Sequence, residues 1–188
     1  MKLTILENTP KVFSFKLDKV STSFANAIRR IAINSVPSFA IDSVTFYENS
    51  SAIFDEYIAH RIGLVPIVTP NGYDEKDEVL FKLEAEGPGT VYSKSLESND
   101  RSVKVANPNI PIIKLAEGQK LRIDAKAIIG TGARSAKFQT GIVTYKQLTD
   151  TSFEFYVETF GQIPAPEILT KTLGIITNNV KEVYKELK

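Results

Sequence analysis

The chain has 188 residues, 43% apolar and 24% charged, with 23 basic against 22 acidic side chains and a net charge of +1. That is the composition of a globular protein long enough to bury a core, and its near-neutral balance argues against a non-specific polyanion binder, which needs a strong positive field. With no cysteine and one histidine, disulfides, thiolate zinc sites, cysteine-ligated iron–sulfur clusters, cysteine nucleophiles and His-rich metal centres are excluded.

Residues 3–6 and 12–17 alternate apolar and polar around Asn8-Thr9-Pro10, which predicts two strands and a turn. Ser21-Thr22-Ser23 offers helix N-caps, and Phe24, Ala27, Ile28, Ile31 and Ser35 follow at helical spacing. Ala25 and Ala32 add a small-residue stripe that lets another helix come close, and Val36-Pro37 ends the helix. Residues 39–47 read as a strand. Asn49-Ser50-Ser51 reads as a turn despite matching a glycosylation sequon. Asp55 is a candidate cap for a short helix over 56–62, with Gly63 as its C′ residue.

Residues 64–68 read as strand or extended chain, and 71–78 as a loop. Strands are expected over 79–85, 90–93, 103–105, 121–129, 138–146 and 153–159. Gly87-Pro88-Gly89 reads as a turn, and residues 106–119 as loop with short turns. Pro164-Ala165-Pro166 opens a last helix of about 30 Å. Its apolar positions are Leu169, Leu173, Ile176, Val180, Val183, Tyr184 and Leu187, with Ile168 and Ile175 beside them. Helices at the two ends and strands between predict an α+β protein in which the terminal segments form one unit and the middle is inserted into it. Both long helices carry more than one apolar stripe. One stripe serves a sheet; the other is covered either by the second helix or by a partner subunit.

The longest apolar run, 62–68, is far shorter than the ~20 residues that span a bilayer. The first residues are too polar for a signal peptide, so a cytoplasmic location is expected. The balanced total hides an asymmetry: residues 72–100 hold eight acids and three bases, and residues 101–146 nine bases and two acids. Either these segments form complementary patches that steer partners, or they are solvated sheet faces.

Little in the chain points to catalysis. His60 has neither a second imidazole nor a nucleophile motif nearby, although Asp55 and Glu56 are close in sequence. Gly130-Thr131-Gly132, followed by Arg134 and Lys137, lacks the helix N-terminus of a phosphate cradle and reads as a basic hairpin. Arg29-Arg30 sits mid-helix, either on a solvated face or anchored in a protein interface.

Two segments carry a family resemblance. Residues 26–42 read Asn-Ala-Ile-Arg-Arg-Ile-Ala-Ile-Asn-Ser-Val-Pro-Ser-Phe-Ala-Ile-Asp, and residues 55–66 read Asp-Glu-Tyr-Ile-Ala-His-Arg-Ile-Gly-Leu-Val-Pro. Together with residues 87–92, 107–112, 118–121, 136–139 and 153–169, they resemble the assembly subunit of cellular RNA polymerases. That family comprises the bacterial alpha N-terminal domain, the third-largest eukaryotic subunit and the archaeal D subunits, of which the archaeal form matches best.

The resemblance implies a dimerisation module built from residues 1–37 and 149–188, with a mainly-β domain, residues 38–148, inserted into it. It implies heterodimerisation with a small L-type subunit. Phe24, Ala27, Ile28, Ile31, Leu169, Leu173, Ile176, Val180 and Tyr184 are the candidate contacts for that partner. It implies docking of the second-largest subunit near Arg29 and Arg30, with Asp55, Glu56, His60 and Arg61 as further candidates. Small subunits of the N and P type join the assembly. Polymerase chemistry belongs to the two large subunits, so no catalytic residue, membrane contact or direct nucleic-acid contact is expected here. Many archaeal D subunits carry a cysteine-rich domain for iron–sulfur clusters; this chain resembles the short form without it, and no cofactor is expected. Two other readings remain: a free-standing nucleic-acid-binding module using residues 101–146, and a small enzyme using His60 with Asp55 or Glu56.

Overall fold

The computed structural model describes residues 1–187. Strands Lys2–Asn8 (β1) and Val12–Asp18 (β2) lead into helix Thr22–Asn34 (α1). The middle comprises Ser38–Asn49 (β3), helix Asp55–Gly63 (α2), Glu78–Glu86 (β4), Gly89–Tyr92 (β5), Glu97–Ser98 (β6), Pro111–Leu115 (β7) and Lys120–Gly130 (β8). Gly141–Thr149 (β9), Ser152–Thr159 (β10) and helix Ala165–Glu186 (α3) close the chain. These elements form an α+β fold in two units. One joins Met1–Pro37 to the chain from Thr131 onward; the other is Ser38–Gly130.

The end-built unit is organised by period-two alternation. Phe13, Phe15 and Leu17 of β2 and Phe153, Phe155 and Val157 of β10 all face the same side and are buried. Phe15 lies directly opposite Phe155, and their rings stack at 4.9 Å. Each such side chain contributes roughly 1.5–3 kcal/mol when buried. The sheet order is β1-β2-β10-β9, antiparallel throughout. Helix α1 covers it with Ala25, Ile28 and Ala32, and α3 with Ala165, Ile168, Leu169 and Thr172. The alanines let the two helices pack together. Ser21 caps α1 as expected, its Oγ accepting from Phe24 N at 3.3 Å, and the helix stops before Pro37.

The inserted unit is a sheet in the order β3-β8-β4-β6 beside a β5-β7 ribbon. Helix α2 presses Ile58 and Ile62 into a core that includes Phe39, Ile41, Phe81, Leu83 and Ile123. The long edge strand β3 is bulged at Asp42 and again at Tyr47. Such bulges twist an edge away from further strand pairing.

Several expectations change. Residues 131–148 were expected with the insert, but β9 pairs with β10 along its length, so the chain re-enters the end-built unit at Thr131. Residues 64–68 and 103–105 do not form full strands and meet only in an Ile67–Val105 bridge. Residues 106–119 contain β7, because Ile112, Ile113 and Leu115 find buried positions despite the surrounding prolines and glycine. Phe138 lies in a 3-10 turn, Ala136–Phe138, and not in a strand. Phe54, not Asp55, takes the N-cap position of α2; Gly63 is the last helical residue and Leu64 the C-cap. Among the described residues, no helix is long and apolar enough to cross a membrane.

Candidate interaction surfaces

In the end-built unit, α3 changes character halfway along. Its buried positions end at Thr172. Beyond that, Ile175 and Ile176 are half-buried, Leu173 is 39% exposed, and Val180, Val183, Tyr184 and Leu187 are all 60% exposed or more. Of the candidate contacts, Val180 and Tyr184 are therefore open, while Ile28 and Leu169 are buried in the unit's own core. Phe24, Ala27 and Ile31 are half-buried on α1.

Sequence reasoning missed a neighbouring surface on β1. Leu3 and Ile5 pair with Leu17 and Phe15 and so face the helix side of the sheet. They remain 44% and 52% exposed, because α1 and α3 do not reach that edge. Alternation signalled the strand but not which of its apolar residues would lack cover.

The arginine pair divides its work. Arg29 is half-buried and donates from Nε and Nη2 to Asn26 Oδ1 at 3.2 and 2.9 Å. Arg30 is exposed. The other docking candidates, on α2, belong to the inserted unit.

There the turn before α2 is braced by polar side chains. Asn49 Nδ2 donates to the Ile53 carbonyl at 2.9 Å and to Asp55 Oδ1 at 2.7 Å. Asn49 Oδ1 accepts from Ser51 N and Oγ, and Ser51 Oγ accepts from Ile53 N. This web holds Phe54 in the open, 80% exposed, and Tyr57 on the helix and Leu64 at its C-cap are more than half exposed. Arg61 is a clip: its Nη2 donates to the Pro111 carbonyl of β7 and its guanidinium lies 5.9 Å from the Tyr57 ring. Asp55 is engaged in the turn, whereas Glu56 and His60 are exposed. Asp55 and His60 are five residues apart, on different helix faces, whereas Glu56, four before His60, shares its face. Tyr57, next to Ile58, falls off the Ile58/Ile62 stripe, so its exposure was legible in principle; Phe54 keeps the stripe's four-residue spacing and is exposed because it is the extended N-cap residue, before the helix begins.

The charge asymmetry resolves into cross-strand pairing within the insert. Lys126 Nζ meets Glu78 Oε1 at 2.9 Å, and Lys120 meets Glu86 at 3.4 Å, across β8 and β4. Lys82 lies opposite Asp124, and Glu84 opposite Arg122. Arg122 also covers the Tyr47 ring, whose hydroxyl donates to Asp124. That hydrogen bond raises the Tyr47 pKa. The basic run is thus partly neutralised by the acidic one, and it is divided between the two units. Gly132 is explained by packing: a Cβ there would lie 2.3 Å from the Ile33 carbonyl oxygen at the end of α1. The adjacent Ala133 N donates to the Asn34 carbonyl at 2.9 Å, so this glycine serves a helix terminus and not a phosphate.

Among the described residues, no group of three His, Cys, Asp or Glu side chains comes together as a metal site. With no cysteine, the chain does not fit a thiolate-ligated cluster.

Comparison with known proteins matches residues 40–153 to the family described as the RNA polymerase Rpb3/RpoA insert domain. The DNA-directed RNA polymerase subunit Rpo3 of Methanocaldococcus jannaschii is 47% identical over 94% of this chain and 90% of its own length. The Rpo3 subunit of Thermococcus kodakarensis is 49% identical over 79% of this chain. That of Halobacterium salinarum is 46% identical over 71%. These two alignments span only 60% and 54% of the relatives' lengths.

Proposed function

This chain belongs to the archaeal Rpo3 family of DNA-directed RNA polymerase subunits, homologous to the bacterial alpha N-terminal domain, and from that membership we propose how it acts in the multi-subunit enzyme. Its role there is non-catalytic and lies in assembly. The end-built unit is the dimerisation module. Its partner is a small L-type subunit, which covers the outer half of α3 together with the exposed residues of α1 and β1. The heterodimer then docks the second-largest subunit through Arg30 and the α2 surface, with N- and P-type small subunits joining it, in the cytoplasm.

The observation that carries this reading is the exposed half of α3. A helix that exposes Leu173, Val180, Val183, Tyr184 and Leu187 on its own chain presents an apolar stripe that monomeric proteins rarely leave uncovered. The test is co-expression of the tagged chain with the L-type subunit, followed by purification from the native host. We expect a one-to-one heterodimer in the first case and both large subunits in the second. Leu173→Asp abolishes the heterodimer. A chain that elutes alone in both settings overturns the proposal. The nucleic-acid reading is disfavoured by the pairing of Lys120 and Lys126 with Glu86 and Glu78.

A further inference from the structure

The apolar surface of the end-built unit contains a hole. Between β1, β2, α1 and α3 opens a cavity of about 110 Å³, with only apolar residues around it. Its floor is core, formed by Phe15, Leu17 and Ile28, all at most 3% exposed. Its rim is open, with Leu3 and Leu173 at 44% and 39%. An apolar cavity of about 150 Å³ takes up one benzene ring, so this space accommodates one branched or aromatic side chain and not a segment of chain. It offers no polar group to orient a metabolite, as small-molecule sites do.

The mouth lies where the exposed stripe of α3 begins, at Leu173, with Ile176, Val180 and Tyr184 following at helical spacing. The charges flanking that stripe are Lys181, Glu182, Lys185 and Glu186, two of each sign. Lys181 and Lys185, four apart, share one flank and Glu182 and Glu186 the other, which orients an approaching helix across α3 but leaves its position along α3 to shape.

We propose that this cavity is a socket for a single bulky apolar side chain, leucine or phenylalanine in kind, projecting from a helix of the dimer partner laid along α3. The inference rests on the heterodimer reading above and deepens it. The stripe seats the helix, and the socket fixes its register, as a knob in a hole does in packed helices.

The test fills the socket from either wall, with Leu3→Trp on the strand and Leu173→Trp on the helix. The chain has no tryptophan, so each variant carries a single fluorescent reporter. Blue-shifted emission in the free chain shows the indole lodged in the cavity and the fold intact. The wild-type and filled chains are titrated with the L-type subunit, whose apolar helical residues are replaced by alanine one at a time. Filling is expected to weaken association roughly tenfold or more. One partner alanine variant weakens binding to the wild-type chain by a similar factor, yet adds no loss against a filled chain. Full affinity of both filled chains, or losses that add for every partner variant, overturns the socket and leaves the heterodimer standing. Failure of the wild-type chain to bind the subunit at all overturns the heterodimer reading and the socket with it. Concentration-dependent self-association of the wild-type chain that Leu3→Trp abolishes identifies a second copy as the occupant, and also overturns the proposal.

Discussion

Asp100 holds together the loop that follows β6. Its Oδ1 accepts from Ser102 Oγ and N at 2.6 and 2.8 Å, and its Oδ2 from Tyr73 OH at 2.7 Å. The Tyr73 ring in turn packs edge-on against Phe39 in the core. These donors, the Ser102 hydroxyl first and the Tyr73 hydroxyl next, lower the Asp100 pKa to about 2. The folded chain therefore binds this proton less readily than the unfolded one. Its contribution is complete above about pH 4 and fades as pH falls towards 2. In urea titrations across that range, the stability gap between wild type and Asp100→Asn narrows on acidification; a constant gap refutes the assignment. Lys19 sits at φ 60° between β2 and α1, a region that costs an L side chain roughly 1–2 kcal/mol. Lys19→Gly is expected to raise stability by up to about 1 kcal/mol in urea unfolding, and Lys19→Val to lower it. Phe54 lies on the proposed docking surface and is expected to serve binding and not folding. Phe54→Ala leaves the melting temperature unchanged, since the ring is 80% exposed, but weakens docking of the second-largest subunit about tenfold in pull-down titrations. Equal docking by the variant removes Phe54 from that surface.

Among elements, the helices were the most legible. The Ser21 cap, the Pro37 stop and the apolar spacing of α3 are each set by residues close to one another along the chain, where local chemistry decides. The strands were legible where alternation was strong, as in β2 and β10, and illegible where long-range pairing decides. β7 forms in a stretch full of breakers because β5 offers it a ladder. Residues 103–105 have strand composition but no partner beyond a single bridge. The charge segments show the same limit: sequence order displays blocks of like sign, whereas the β4–β8 register interleaves them. Gly132 tests how closely elements approach one another. Gly132→Ala drives a methyl group into the Ile33 carbonyl and is expected to cost about 1–3 kcal/mol of stability. Val180→Asp does the reverse. At 63% exposed the site tolerates the charge in the free chain, so thermal unfolding is unchanged, but burying it against the L-type subunit abolishes the heterodimer on size exclusion.

At the level of the whole chain, the two units have separate cores, and a partner bound by one stabilises that one. Calorimetry of the chain with the L-type subunit at a hundredfold excess over its dissociation constant is expected to shift the transition of the end-built unit by about 2.7 kcal/mol. The transition of the insert stays in place. A uniform shift of both transitions contradicts the assignment of the dimer surface to the end-built unit. The same division has a temporal side. The insert, Ser38–Gly130, is continuous and complete once it has left the ribosome. The sheet β1-β2-β10-β9 is not: its first two strands are made early, with Phe13, Phe15 and Leu17 uncovered, and wait for the last two. A polypeptide halted before Thr159 carries a finished insert and an unfinished sheet, and one halted before α3 has only α1 to cover it. Synthesis order thus makes the chain's own completion the gate to partnership, and prematurely terminated products are left with bare phenylalanines for chaperones and proteases to recognise.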